Sequence, residues 1–434
     1  MRRQPLHVQI LIGAVLGVVA GVICERIADG GSAAFNDRLQ WVIKYITGPI
    51  GAIFLRMLMM LVAPLLFAAL VLGVSELGDL KRLGRIGVKT LAYTVVVSAI
   101  AVMLGIFMVN TIKPGAGIDD ATRMRIIEQS KSQRLAVKAP DAAPATGIDL
   151  LVNIVPSNPL KAVVDGDYLA WMFFALMVGI GLCMVRTPAA ETFRQFVQGL
   201  YDVSMWLIAL VIRLAPIGVA ALLFNLTAQF GYGLLVQLAK YVLVVVLALA
   251  IHQFVVYSIA VSVLGRMSPL RFFKGVQEAM LTAFSTASSA ATLPTALRVA
   301  EENLKLPSHV SRFVLTVGAT ANQNGTALFE GVTVLFLAQV YGIHLDLAQQ
   351  TTVVLIAILG GIGTAGVPGG SLPVVMLILA RVGIPAEGIG MILGVDRLLD
   401  MCRTTLNVTG DLAAAVVVSR GEEHVHDTRA PLQL

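Results

Sequence analysis

GVDRLLDMCRTTLNVTGD, Gly394 to Asp411, places three aspartates and two arginines in a stretch that otherwise has the make-up of a membrane-buried helix. At about 100° per residue, with Asp396 at zero, Asp400 falls at about 40°, Arg403 at about −20°, Asn407 at about 20° and Asp411 at about 60°. These five polar groups share one stripe about 80° wide, so the stripe is expected to face protein rather than lipid. A single charge at mid-bilayer costs at least about 2.5–3.5 kcal/mol on insertion scales, so several on one stripe need partners or a purpose. An interhelical salt-bridge seam would meet that need. So would a site for a charged solute and ions, and the rest of the chain favours the second reading.

Working outward, the 434 residues are 57% hydrophobic and 13% charged, with a mean hydropathy of +0.83. That composition excludes an ordinary soluble protein and points to an all-α polytopic membrane protein. A net charge of +6 could suggest nucleic acid. The basic residues lie instead in short loops between apolar runs, the positive-inside pattern, and no nucleic-acid partner is expected. Cys24, Cys183 and Cys402 sit in or beside apolar stretches and imply no disulfide framework. The run Ile10 to Cys24 follows Arg2 and Arg3 as a signal peptide would. No small-residue cleavage site follows it, so a retained first helix is expected.

Apolar helical runs are read at about 8–25, 41–76, 87–112, 168–186, 199–228 and 233–265. The second, containing Lys44 and Arg56, exceeds the ~20 residues that span a bilayer and is expected to be one long tilted helix. The N-terminus and the loop with Lys81, Arg82, Arg85 and Lys89 are basic, whereas the loop between (Glu25, Arg26, Asp29, Asp37, Arg38) is mixed. Both basic segments are therefore expected in the cytoplasm, and 113–150 reads as a polar external loop.

After Gly265 the pattern changes. TAFSTASSAATLPTAL is flanked by Arg266, Arg271 and Lys274 on one side and Arg298, Lys305 and Arg312 on the other. Basic flanks at both ends predict a segment that enters and leaves by the same face. Later, TTVVLIAIL and LPVVMLILA are each too short to cross ~30 Å of hydrocarbon. GGIGTAGVPGGS (Gly360 to Ser371) between them is expected to be non-helical, which makes a second hairpin. Irregular backbone at membrane depth survives only where buried or lining a polar cavity, and paired interrupted segments point to a transporter's binding site. Close packing by small residues is the alternative for the first tip alone.

Between the hairpins, Asn322, Gln323, Asn324, Gly325 and Thr326 form a polar break in an apolar helix. Side-chain and freed backbone carbonyls of this kind suit a hard cation, although a locally satisfied kink would look the same. Glu330 follows as a lone carboxyl, either a proton carrier or a partner for a basic residue such as Lys240.

TASSAATLP (Thr286 to Pro294), NQNGT (Asn322 to Thr326), GTAGVPGG (Gly363 to Gly370) and DRLLDMCRTTLNVTGD (Asp396 to Asp411) occur in that order, with PSNPLKA (Pro156 to Ala162) and RLAPIGV (Arg213 to Val219) upstream. Together these motifs resemble the glutamate transporter family, the dicarboxylate/amino acid:cation symporters, over essentially the whole chain to about residue 420. The C-terminal half resembles the neuronal excitatory amino acid transporters as much as the bacterial members. The resemblance implies eight transmembrane helices and two re-entrant hairpins, in a homotrimer embedded in the bilayer of the plasma membrane with both termini cytoplasmic. It implies a single membrane domain over 1–430. A scaffold of about 1–78 and 150–230 would carry a moving, elevator-like transport part of about 84–113 and 233–420, with hairpins at about 270–305 and 347–382.

The resemblance also implies roles. Asp400 looks like the acceptor for a substrate ammonium and Arg403 like the clamp for its side-chain carboxylate, for which the planar guanidinium fork is suited. Ser288, Ser289, Thr326, Val367, Gly370, Thr404 and Asn407 resemble the remaining substrate contacts. Gly318, Asn322, Asn407 and Asp411 retain the pattern of one sodium site; Thr320, Gly361, Ile362 and Thr364 resemble a second. A third looks degraded: Asn324 stands where the family's NMDGT has its aspartate, and Val97 replaces a threonine beside Ser98. Gln323 stands in place of a coupling methionine. The arginine usual at the first hairpin tip or beside the last-helix aspartate is absent (Ala287, Met401). Glu330 occupies the position of the glutamate thought to carry a proton in the animal transporters. Together these imply coupling to protons, sodium or both, with no other cofactor, for L-glutamate or L-aspartate; a C4-dicarboxylate symporter of the same family is the alternative. His424 and His426 read as part of a solvated tail. A channel would need a filter motif. An enzyme would need a nucleophile–base pair, and His252 lies alone in an apolar helix, so no catalytic activity is expected.

Overall fold

A computed structural model describes residues 6–30, 33–77, 85–118, 123–124, 128, 155–164, 168–185, 187–363 and 371–422. Among these the chain is helical, without a strand. In order, the principal helices run Leu6–Gly30, Ala33–Val42, Gly48–Met59, Val62–Leu77, Arg85–Ile112, Tyr168–Met184 and Pro188–Ile251. They continue as Pro269–Thr286, Ser289–Arg298, Ser308–Ala321, Asn324–Tyr341, Leu347–Gly363, Leu372–Arg381 and Ile389–Ser419. Among the described residues, four segments are long and apolar enough by themselves to cross a membrane: Val8–Ala28, Arg85–Ile112, Pro188–Gln229 and Leu235–Leu264.

Three expectations are corrected. The long helix expected over 41–76 is interrupted at Met60 and Leu61. Pro64 has no N–H to donate to the Met60 carbonyl, whereas the ladder bond from Leu65 N to Leu61 O (3.1 Å) is made. Conversely, the runs expected at 199–228 and 233–265 are joined in the helix Pro188–Ile251, followed by π-helical turns over His252–Val256 and Ala260–Leu264. The glycine-rich segment is also helical further than expected, to Gly363. A Cβ at Gly360 would meet the Val374 side chain, and one at Gly361 would lie 3.3 Å from the Gln323 carbonyl. Close packing offsets the conformational entropy that makes glycine unfavourable in a free helix. Most of the polar stretch 113–150, together with Lys81, Arg82, His424 and His426, lies outside the described residues.

Two packing arrangements position the site. The helix Leu6–Gly30 lies along Pro188–Ile251, with Gly13, Gly17 and Gly21 set against the backbone of Pro216, Ala220 and Phe224, so the two main chains meet directly. Further on, Pro269–Thr286 and Ser289–Arg298 form an antiparallel hairpin. Its contacts recede evenly from the tip: Thr286 to Thr292 at 3.2 Å, an ion pair between Glu278 and Arg298, then Asn303 Nδ2 to the Gly275 carbonyl at 2.9 Å. At the tip Ala287 takes a left-handed conformation (φ 48°), and the Ser288 hydroxyl accepts from Ala291 N at 3.2 Å, capping the returning helix.

Candidate functional site

The helix over Ser308–Ala321 stops because Asn322 and Gln323 adopt non-helical backbone angles (φ −116°, ψ 61° and φ −96°, ψ 61°), and a new helix starts at Asn324. Its first free N–H groups need an acceptor. The last helix supplies one: Gly325 N donates to Asn407 Oδ1 at 2.7 Å. A Cβ at residue 325 would lie 2.6 Å from the Arg403 carbonyl, so only glycine lets the half-helix abut the last helix this closely.

The polar stripe of the last helix is buried throughout: Asp396, Asp400, Arg403, Asn407 and Asp411 all face protein. Arg403, 1% exposed, is held on three sides. Nε donates to Asp400 Oδ1 at 3.0 Å, Nη1 to Asp396 Oδ1 at 3.1 Å, and the guanidinium sits 4.2 Å from the Phe329 ring centroid. Nη2 lies 3.0 Å from Asp400 Oδ1 but is not aligned to donate to it. The salt-bridge reading is therefore realised in part, within one helix rather than between helices.

Around this stripe the expected groups meet in two clusters. Asn407 Nδ2 donates to Thr326 Oγ1 at 3.1 Å and to Gln323 Oε1 at 2.5 Å, while Gln323 Nε2 donates to the Ala319 carbonyl at 2.9 Å. One turn on, Asn322 Nδ2 donates to Asp411 Oδ1 at 2.9 Å, leaving Asn322 Oδ1 buried with no hydrogen bond. Gly318 packs onto the same Asp411 carboxylate, in space that any Cβ would fill. On the opposite side Asn324 is fully buried. Its Oδ1 accepts from Ser98 Oγ at 2.6 Å, its Nδ2 donates to Tyr257 Oη at 3.1 Å, and Tyr257 donates to the Leu406 carbonyl at 3.2 Å.

Ser288, Ser289 and Thr404 are buried, and both arms of the first hairpin pack on the last helix. Among the described residues Ser289 Oγ makes no hydrogen bond, nor does Ser371 Oγ just before the helix Leu372–Arg381. Thr320 donates to its own helix at the Val317 carbonyl (3.0 Å), and Gly361 backs onto the break at Gln323. The Ile362 backbone is helical, while Thr364, Val367 and Gly370 lie outside the described residues. Glu330 is wholly buried with neither carboxyl oxygen hydrogen-bonded, and a Cβ at Gly360 would lie 3.2 Å from its Oε2. Lys240 is exposed and forms no ion pair with it among the described residues.

Sequence reasoning gave no role to Asp396, Phe329, Tyr257 or Arg397, all of which contact these clusters. Asp396 was discoverable from the stripe. Phe329 and Tyr257 carry no signal in an apolar helix until the fold brings them beside Arg403 and Asn324. His252, buried on the same segment, packs edge-on to Tyr257 at 4.9 Å between ring centroids.

With this geometry in place, comparison with known proteins is direct. The profile of the sodium:dicarboxylate symporter family matches residues 6–421. The chain is 33% identical to the proton/sodium-glutamate symport protein of Geobacillus stearothermophilus over 429 residues, covering 99% of this chain and 97% of that one. It is 34% identical to the proton/glutamate-aspartate symporter of Escherichia coli (strain K12) over 428 residues, covering 98% and 94%. With excitatory amino acid transporter 2 of Homo sapiens the identity is 32% over 450 residues, covering 93% and 77%. A helical chain matched along nearly its whole length in this way belongs to the sodium:dicarboxylate symporter family.

Proposed function

We propose that this protein is a secondary active symporter for acidic amino acids, L-glutamate or L-aspartate, driven by protons, sodium or both. The observation that carries the reading is the buried pair Asp400–Arg403 beside the broken helix. One carboxylate and one guanidinium, 6% and 1% exposed at the side chain, offer an ammonium acceptor and a carboxylate donor within one turn of helix. A C4-dicarboxylate has no ammonium to offer Asp400, and the relatives named above are described as glutamate or glutamate–aspartate symporters.

Asp400, Arg403, Thr404, Asn407, Thr326, Ser288 and Ser289, with Val367 and Gly370, would line the substrate site. The hydroxyl of Ser289 and Nη2 of Arg403 are buried hydrogen-bonding groups that a polar substrate would satisfy. For cations, Gly318, Asn322, Asn407 and Asp411 fit one sodium ion: the orphaned Asn322 Oδ1 and the Asp411 carboxylate supply hard oxygen donors, once Asn322 turns its Nδ2 away from Asp411. Thr320, Gly361, Ile362 and Thr364 are assigned to a second. At the third position the Asn324 amide completes a neutral hydrogen-bonded chain from Ser98 to Leu406, in which no charge awaits a cation. Glu330, buried and without a basic partner among the described residues, is assigned to carry a proton. The protomer would have eight spans and two hairpins. It would work as a homotrimer in the plasma membrane with cytoplasmic termini, the parts 84–113 and 233–420 moving against 1–78 and 150–230.

The test is uptake of labelled L-glutamate and L-aspartate into proteoliposomes under a sodium gradient, a proton gradient or neither. Accumulation of either amino acid under an ion gradient supports the reading. Accumulation of succinate or malate with neither amino acid overturns it.

A further inference from the structure

Asp400 is flanked by two guanidiniums, and they are held very differently. Its Oδ1 takes Arg403, whose side chain is 1% exposed, tied also to Asp396 and seated on Phe329. Its Oδ2 faces Arg397 Nη1 at 3.5 Å, one turn earlier on the same helix, with 23% of the Arg397 side chain exposed. The first contact is buried, close and braced. The second is longer, and its arginine side chain is 23% exposed, so it is the more weakly held of the two. A substrate ammonium that reaches Asp400 Oδ2 therefore meets the more weakly held of these two guanidiniums.

Resting on the acidic amino-acid reading, we infer that Arg397 is an exchangeable counter-ion. It neutralises Asp400 when the site is empty and gives way to the substrate's ammonium. With Arg397 and Arg403 both paired, the two buried aspartates of this turn are balanced charge for charge, which explains how Asp396 and Asp400 are tolerated without a ligand. A ligand without an ammonium has nothing to exchange for Arg397. The residue is thus a competitor for the ammonium position and sets affinity for amino acids against dicarboxylates.

The test is equilibrium binding of L-aspartate, L-glutamate and succinate to the purified full chain in lipid nanodiscs, for wild type, Arg397→Gln and Arg397→Met, with each variant's melting transition recorded. Two substitutions are used so that a folding failure of one leaves the other to decide. Removing the competitor should tighten amino-acid binding by about two- to fivefold, the scale of a partly exposed ion pair, and leave succinate unchanged. Amino-acid binding that is unchanged or weaker in the folded variants overturns the exchange role; weaker binding would mean that Arg397 holds a substrate carboxylate. A wild type that binds neither amino acid overturns the acidic amino-acid reading itself, so the two failures are distinguishable.

Discussion

Asn324→Asp puts the amide reading of the third cation position to its strictest test. Asn324 is 0% exposed, accepts from Ser98 at 2.6 Å and donates to Tyr257 at 3.1 Å. Aspartate has nearly the same shape but no donor, and it brings a negative charge to a place with no cation among its hydrogen-bond partners. An uncompensated buried charge costs about 3–5 kcal/mol. With an unfolding entropy near 2.1 cal/mol/K per residue, or about 0.9 kcal/mol/K for a chain of this length, that lowers Tm by about 3–6 °C in sodium-free buffer. A cation that binds the new carboxylate restores about 2.7 kcal/mol at one hundred times its Kd, hence about 3 °C. The expected result is a variant that is less stable than wild type in choline chloride, recovers in sodium chloride, and gains a steeper sodium dependence of uptake. Adding Val97→Thr, which returns a hydroxyl one residue from Ser98, should strengthen the sodium response further. The assay is thermal unfolding of purified protein across a sodium titration. If Asn324→Asp matches wild type in sodium-free buffer and ignores sodium, the amide is not standing in for a cation and the argument fails.

Arg403→Lys keeps the charge but loses the fork that reaches Asp400 and Asp396, so L-aspartate binding is expected to weaken at least about thirtyfold, the lower end of the cost of breaking a buried hydrogen-bonded pair. Calorimetric titration reads it directly. Gly318→Ala drives a methyl into the Asp411 carboxylate, so sodium activation of uptake should be lost while trafficking and the melting transition are largely retained. Glu330→Gln should flatten the pH profile of uptake in proteoliposomes; an unchanged profile removes Glu330 as the proton carrier. On the surface, hydrogen bonds from Arg85 and Lys89 hold the Glu422 carboxyl down at about 2. A depressed carboxylate contributes stability that is fully present above its ordinary value near 4.5 and is lost as pH falls toward 2. Glu422→Gln should accordingly melt slightly below wild type at neutral pH, with the gap closing on acidification and in high salt.

The helical class, the first interrupted segment and the polar stripe were legible because each follows from local rules. A period of 3.6 assembles Asp396, Asp400, Arg403, Asn407 and Asp411 on one face whatever the helix packs against. Consecutive polar residues at Asn322–Asn324 interrupt an apolar helix by composition. That the segment around Ser288 turns back was legible from small residues between basic flanks. Where the reading erred, tertiary context overrode local preference. The helix continues through Gly360 and Gly361 because Val374, Gln323 and Ala327 pack against them. The break before Pro64 is the exception, a local signal that hydropathy alone passes over because proline lacks the N–H.

What the sequence determined by itself, then, was which groups exist and which face of a helix they share: an acid and an arginine one turn apart, an asparagine where a charge is usual, a carboxyl alone among apolar neighbours. What only the tertiary structure decided was who pairs with whom. Asn324 reaches Tyr257, on a helix 67 residues earlier; Gly325 presses against Arg403 from a separate half-helix. Such pairings join residues far apart in the chain at distances of about 3 Å. No periodicity or composition encodes them, because they depend on how whole helices settle against one another.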